Sequence, residues 1–409
     1  LFPPRHSPTL MSMTITRTTT STTPQGVRAA WLAVTTVAVG TFTVVTSEML
    51  PVGLLTSIGT ELKVSEGVAG LTMTAPGLVA AVSAPLLTVG ARRLDRRTVL
   101  CGLMALLAAA NLLAAVAPVH PVLLGARVLT GVSIGGFWAF ALAMAARLVP
   151  GPLVGRATAV IASGIAVASV LGVPAGTLVS TSAGWRAAFV AVALLAAVTC
   201  VALARLLPPL PAERAGRVSD LWRVWRSGPL RTVLIVTALV VTGHFAAYTY
   251  VRPFLEQVAG TGAAGVGAIL LGYGLAGVLG NFAAGARAAR RPAAVLVTLA
   301  VLIGAATAAL PPVGAAGPGA AAALLLLWGV AYGGVSVTLQ IWLVRAGGGE
   351  AGTAMLTAVF NAAIAFGALT GGLAVDGVSV SAALWLGAGL ALVSAGVAGI
   401  AGRRTTSGS

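Results

Sequence analysis

Apolar positions fill this chain in long runs, and polar positions gather in the short gaps between them. The first run, Trp31 to Leu55 (WLAVTTVAVGTFTVVTSEMLPVGLL), carries one charge, Glu48. At ~1.5 Å per residue it exceeds the ~30 Å hydrocarbon core of a bilayer. Further runs cover Val68–Val89, Thr98–Ala117, Val122–Ala146, Ala157–Thr181 and Ala187–Leu207. A polar, proline-rich stretch (PPLPAERAGRVSDLWRVWRSGP) then divides the chain, and six more runs follow at 231–254, 263–286, 292–311, 319–344, 353–374 and 380–401. Such runs predict an all-α membrane protein with twelve transmembrane helices. Two six-helix bundles are expected at 31–207 and 231–401, joined by a central cytoplasmic loop at 208–230. Residues 1–30 are polar and rich in Thr and Ser, with neither the apolar core nor the cleavage site of a signal peptide. They are expected to form a disordered cytoplasmic segment, with a natural start at Met11 or Met13, and 402–409 a cytoplasmic tail. Ser219–Arg226 is expected as a short amphipathic helix on the membrane surface.

Composition strengthens this picture. Of 409 residues 58% are hydrophobic and 8% charged, against about 25% charged in soluble domains. The net charge of +16 is compatible with nucleic-acid binding in the abstract, but the arginines sit in short loops between apolar runs. Arg92, Arg93, Arg96, Arg97, Arg147, Arg156, Arg205, Arg287, Arg290, Arg291 and Arg345 fall on one side, with only Lys63, Arg186 and Arg252 on the other. That asymmetry predicts both termini in the cytoplasm and lipid, not nucleic acid, as the surrounding partner. Cys101 and Cys200 both lie in apolar runs and read as small core residues, with no disulfide or metal site suggested.

No enzyme constellation is present: HExxH, Walker A and CxxC are all missing, and nine acids leave little for a catalytic pair. No cofactor is implied. The chemistry lies in isolated polar groups within the runs. A carboxylate in a spanning helix costs roughly 2.5–3.5 kcal/mol on insertion scales. Glu48 must therefore face protein or water, either as a proton carrier or hydrated near the interface. Arg127, in the fourth run, lies about as deep as Glu48, roughly 9 Å below the same side. The two are expected to pair if their helices are neighbours; the alternative is an arginine snorkelling to the surface. His244, Tyr248 and Arg252 recur at i, i+4 and i+8 in GHFAAYTYVRPFLEQ and share one helical face. That face suits a flat polar ligand or a proton relay, and equally a packed histidine. Trp138 and Tyr332 are further candidate stacking surfaces, with packing as the alternative. In the fifth run, Gly164, Gly172, Pro174 and Gly176 permit close helix crossing and a bend.

These segments together resemble the major facilitator superfamily, and within it the twelve-span drug:H+ antiporter group. LGARVLTGVSIGG is similar to that group's fourth-helix motif, with Arg127 and Gly131 at its fixed positions. Gly164, Gly172, Pro174 and Gly176 resemble its fifth-helix antiporter motif. The loop GARRLDRR keeps Asp95, Arg96 and Arg97 of the family's loop motif but lacks its inner glycine. SEMLPVGLLTSIGTELKVSEGVAG, GGFWAF, GWRAAF and FAAYTYVRPF are similar to segments of purine ribonucleoside efflux transporters, and the related sugar efflux transporters share much of the first half. The resemblance implies inverted three-helix repeats around a midplane cavity. It also implies a monomeric, proton-coupled exporter in a bacterial plasma membrane. Glu48 and Arg127 would carry coupling, and the cargo would be a purine nucleoside-like compound or drug. Sugar or metabolite transport, including uptake, and a non-transporting receptor or scaffold are the competing readings.

Overall fold

The computed structural model describes residues 24–91, 93–141, 143–211 and 224–406. Residues 1–23 of the expected N-terminal disordered segment and most of the central loop, including the start of the Ser219–Arg226 helix, lie outside the described residues; 24–30, expected to be disordered, instead form the first turns of the helix Pro24–Met49. Among those described, twelve helices are long and apolar enough to cross a membrane. They are Val27–Gly53, Glu66–Thr88, Arg96–Ala115, His120–Phe140, Gly151–Ala183 and Trp185–Leu206, then Gly228–Gln257, Ala263–Ala288, Pro292–Gly314, Pro318–Arg345, Ala351–Gly377 and Val380–Arg403. We refer to them as the first to twelfth spans. An even number of crossings puts the two ends of the chain on one face, the termini side; the opposite face is the far side.

Four spans are interrupted, and they recur every third one. The first ends its α-helix at Met49 and continues as a 3-10 turn over Leu50–Gly53. The fourth stops at Phe140 and resumes as the short helix Met144–Leu148, inside what the hydrophobic pattern reads as one run to Ala146. The seventh breaks between Tyr248 and Val251, and the tenth at Gly334. Prolines explain two of these breaks. Pro51 and Pro253 have no N–H to offer the carbonyls four residues back, at Ser47 and Thr249, so the α-helical ladder cannot pass them intact. By contrast, the ninth span runs through Pro311 and Pro312 to Gly314.

Each half packs mostly on itself: the first span on the fifth and sixth, the third on the sixth, the seventh on the eleventh and twelfth, the ninth on the twelfth. Among the described residues the most extensive contacts between the halves are second span to eleventh and fifth to eighth. The buried apolar core divides accordingly. One part is continuous from the far-side end of the first half (Leu50, Leu54, Ile58, Met73, Trp185) through the whole second half. The other is confined to the termini-side part of the first half (Val37, Leu103, Phe137, Ile161, Leu203). The halves are thus fused at the far side and separate toward the termini side.

Candidate functional site

Arg127 is completely buried on the fourth span. Its guanidinium does not go to the Glu48 carboxylate; it donates to three backbone carbonyls, Nε to Thr72 at 2.9 Å, one terminal nitrogen to Ser47 at 2.9 Å and the other to Glu48 at 3.2 Å. The reason lies in two prolines. Pro51 strips Ser47 of its helical donor, and Pro76, inside the second span, does the same to Thr72. An unsatisfied carbonyl in a membrane interior is costly, and one guanidinium with five donors supplies both. The close approach of these helices depends on Gly131, where a Cβ would fall 2.6 Å from the Pro76 carbonyl oxygen.

Glu48 is left with its backbone engaged and its side chain free. It is 5% exposed, and its Oε1 has no hydrogen-bond partner. The expected ion pair with Arg127 is replaced by the carbonyl contacts, although Arg127 stays near enough for the two charges to interact. The carboxyl also lies within electrostatic reach of Tyr332, on the tenth span of the other half. Beside it, Ser47 binds Asn111 of the third span, whose Nδ2 donates to the serine hydroxyl at 2.9 Å.

The second half answers with rings. His244 stacks on Tyr332, with centroids 3.3 Å apart and planes 5° from parallel, and on Tyr248 at 5.0 Å. Tyr248 stacks in turn on Tyr273, and Trp328 meets His244, Tyr248 and Tyr273 edge-on. The Trp328 indole donates to His244 Nδ1 at 3.1 Å. An indole N–H can only donate, so Nδ1 is the bare nitrogen and the imidazole proton sits on Nε2. Tyr273 Oη is buried without a partner. Of the expected stripe, His244 and Tyr248 meet here, while Arg252 does not. The break after Tyr248 carries Arg252 to the far side, where it pairs with Glu256 at 2.8 Å and donates to the Gly53 carbonyl of the first half. Trp138 packs against the termini-side core of the first half, outside the ring cluster.

The remaining motif residues have local duties. Asp95 accepts from Arg97 N at 2.7 Å, capping the third span, and from Leu210 N at 2.9 Å. Arg96 lies over the Phe140 ring, 4.4 Å from its centroid, and Arg97 donates to the Ala204 carbonyl. All three tie the loop between second and third spans to the end of the sixth. In the fifth span, Gly164, Gly172 and Gly176 face Ala38, Thr46 and Leu50 of the first. Pro174 bares the carbonyl of Val170, and Gly274 of the eighth span lies against that residue; a Cβ there would fall 2.7 Å from Val170 Cα.

One residue escaped the hydrophobic pattern. Asp376, at the far-side end of the eleventh span, accepts from Gly67 N at 2.9 Å and from the Ser65 hydroxyl at 2.6 Å. It thereby caps the second span from the opposite half, where a carboxylate is favoured by the helix dipole. Gln257 donates to Glu66 alongside it. The signal was available, since Asp376 is an isolated acid at the edge of a long apolar run, as Glu48 is.

A family model described as Major Facilitator Superfamily matches residues 37–356. The chain belongs to that superfamily. A superfamily chain of this kind is a multi-pass membrane protein and a secondary transporter of small solutes rather than an enzyme. Among curated proteins, the Transcription regulatory protein OpdE of Pseudomonas aeruginosa is 34% identical over 375 residues, covering 90% of this chain and 92% of its own. The human organic anion transporter MFSD10 (TETRAN) superposes with a TM-score of 0.64 at 20% identity, over 92% of this chain and 100% of that one. A bacterial homologue of the human lysosomal transporter Spinster, in an inward-facing and unoccupied conformation, gives 0.62 at 15% identity, over 92% and 95%. At these identities the two structures attest to the superfamily fold.

Proposed function

We propose that this protein is a proton-coupled exporter of a flat, weakly polar organic solute, of which a purine nucleoside is the type, working by alternating access of its two halves. The observation that carries the reading is Glu48: a buried carboxyl whose Oε1 has no hydrogen-bond partner, within electrostatic reach of Tyr332 in an aromatic cluster on the other half. Such a group changes charge only by taking or losing a proton. The stacked rings offer π faces for a planar base, and the sequence likeness to nucleoside efflux proteins points the same way. With the arginine-rich termini side in the cytoplasm of a bacterial cell, the closed far side and parted termini side correspond to a state open to the cell interior. A proton entering from outside onto Glu48 would drive export of the cargo.

The test uses protein in liposomes with an imposed pH gradient and a radiolabelled nucleoside. Glu48→Gln, which holds the neutral form permanently, is expected to bind cargo and to lose gradient-driven accumulation. Unchanged accumulation would remove Glu48 from coupling. Cargo moving in the same direction as protons would favour uptake of a sugar or metabolite instead. The Pseudomonas relative's name, a transcription regulatory protein, favours a second reading, a membrane receptor or scaffold with the same fold and no net flux. A panel of solutes that shows binding but no flux in liposomes would support it.

A further inference from the structure

Cys101 and Cys200 are the only cysteines in the chain. They stand on the third and sixth spans, antiparallel neighbours in the first half, and the fold sets them face to face. Cys101 Sγ lies 3.9 Å from the Cys200 carbonyl oxygen, and Cys200 Sγ lies 3.3 Å from that of Cys101. Reciprocal contacts of this kind require each sulfur to reach past the other, so both occupy one gap between the helices. Disulfides join cysteines whose Cβ atoms are ~3.5–4.5 Å apart, and this approach leaves little further to travel. Both residues are half-buried and unbridged. They lie about one and a half turns, roughly 8 Å, from the termini-side ends of their spans, where a small oxidant can reach them.

We propose that Cys101 and Cys200 form a redox-modification site, a thiol pair that a peroxide converts into an intramolecular disulfide stapling the third span to the sixth. One thiol attacks the peroxide, giving a sulfenic acid and one water. The second thiol attacks that sulfur, forms the S–S bond and releases a second water. Two thiols are oxidised by two electrons and one hydrogen peroxide is reduced. The bond lies within one half, so it leaves the halves free to move against each other. It fixes the end where Arg97 already holds Ala204 and Asp95 holds Leu210.

The full-length protein in liposomes is reduced, treated with hydrogen peroxide, unfolded and counted with a maleimide-linked polyethylene glycol. Wild type is expected to go from two adducts to none, to run as a monomer without reductant, and to regain both adducts with dithiothreitol. Peptide mass spectrometry should give the Cys101–Cys200 cross-link, and the melting midpoint should rise reversibly on oxidation. Cys101→Ser should keep its one adduct under the same exposure and show no rise. Two adducts persisting in folded wild type, loss of thiols only as intermolecular dimers, or oxidation of each thiol to sulfinic acid as fast as in the single serine variants would overturn the proposal.

Discussion

The two halves place their polar groups inside the membrane by opposite means. In the first half, side chains serve the backbone. Arg127 replaces donors that prolines removed, Asn111 and Ser47 bind each other across helices, and three glycines bring the fifth span onto the first. In the second half, the rings serve one another: His244, Tyr248, Tyr273, Trp328 and Tyr332 stack and meet edge-on among themselves, and Trp328 donates to His244. The contrast teaches where chemistry is free to happen. A backbone-directed network is a rigid frame, and Glu48 is the group that frame leaves over. A ring cluster is adaptable, because stacking tolerates exchange of one flat partner for another. The candidate site is the leftover acid together with the exchangeable rings in its electrostatic reach.

Breaking the frame should have the largest effect. Arg127→Leu leaves the carbonyls of Ser47 and Thr72 without donors in a fully buried position, and losses of about 3–5 kcal/mol follow when one side of a buried charged network is removed. We expect little folded protein after detergent extraction, measured by monodisperse yield and thermal midpoint. Arg127→Lys should recover only part, since one ammonium cannot span carbonyls on two helices. Full stability of Arg127→Leu would mean that the prolines' carbonyls find other donors.

Removing a ring comes next. Base–aromatic stacking is worth about 1–3 kcal/mol per base, so Tyr248→Ala should weaken nucleoside binding roughly 5- to 150-fold, with Tyr248→Phe much closer to wild type. Equal dissociation constants for wild type and folded Tyr248→Ala would make the cluster packing alone.

The seam between the halves can be loosened without touching either. Asp376→Asn weakens two hydrogen bonds to the second span, and charged-group hydrogen bonds contribute about 1.5–3 kcal/mol. Labelling of a cysteine placed at Ala69, buried near that seam, by a membrane-impermeant maleimide from the far side should then rise about tenfold or more. No change would assign far-side closure to the apolar contacts. The smallest effect is expected for Trp328→Phe, which keeps the ring and deletes the donor to His244 Nδ1. A neutral hydrogen bond contributes about 0.5–1.5 kcal/mol, and the melting midpoint should fall only slightly.

Much of the fold was legible because bilayer thickness imposes run length, and charges are too costly to leave inside without purpose. Each expected run lies on a helix of the structure, and the errors concentrate at interruptions: Phe140 ends a helix within an unbroken apolar run, and Gly334 splits another. Hydropathy is blind to a change of helical register. Glu48 and Arg127 stood out as isolated charges, but their relationship did not. Opposite charges at one depth suggested a pair, whereas the stronger demand came from carbonyls that Pro51 and Pro76 had bared. That demand is readable, since each proline at position i exposes the oxygen at i−4. The electrostatic reach between Glu48 and Tyr332, nearly three hundred residues apart in sequence, depends on how the halves close, and no local pattern encodes it.

An arginine that stands in for two missing peptide N–H groups also binds three positions into one heritable unit. Pro51→Ala would restore the donor to Ser47 and leave a guanidinium nitrogen in the membrane with less to do; Pro76→Ala would do the same at Thr72. Loss of Arg127 is most damaging while both prolines remain and mildest once both are gone. The order in which substitutions arrive therefore decides which are tolerated, and a triple replacement can be viable where its first step alone is not. In a descendant lineage, the prolines and the arginine should disappear together or persist together.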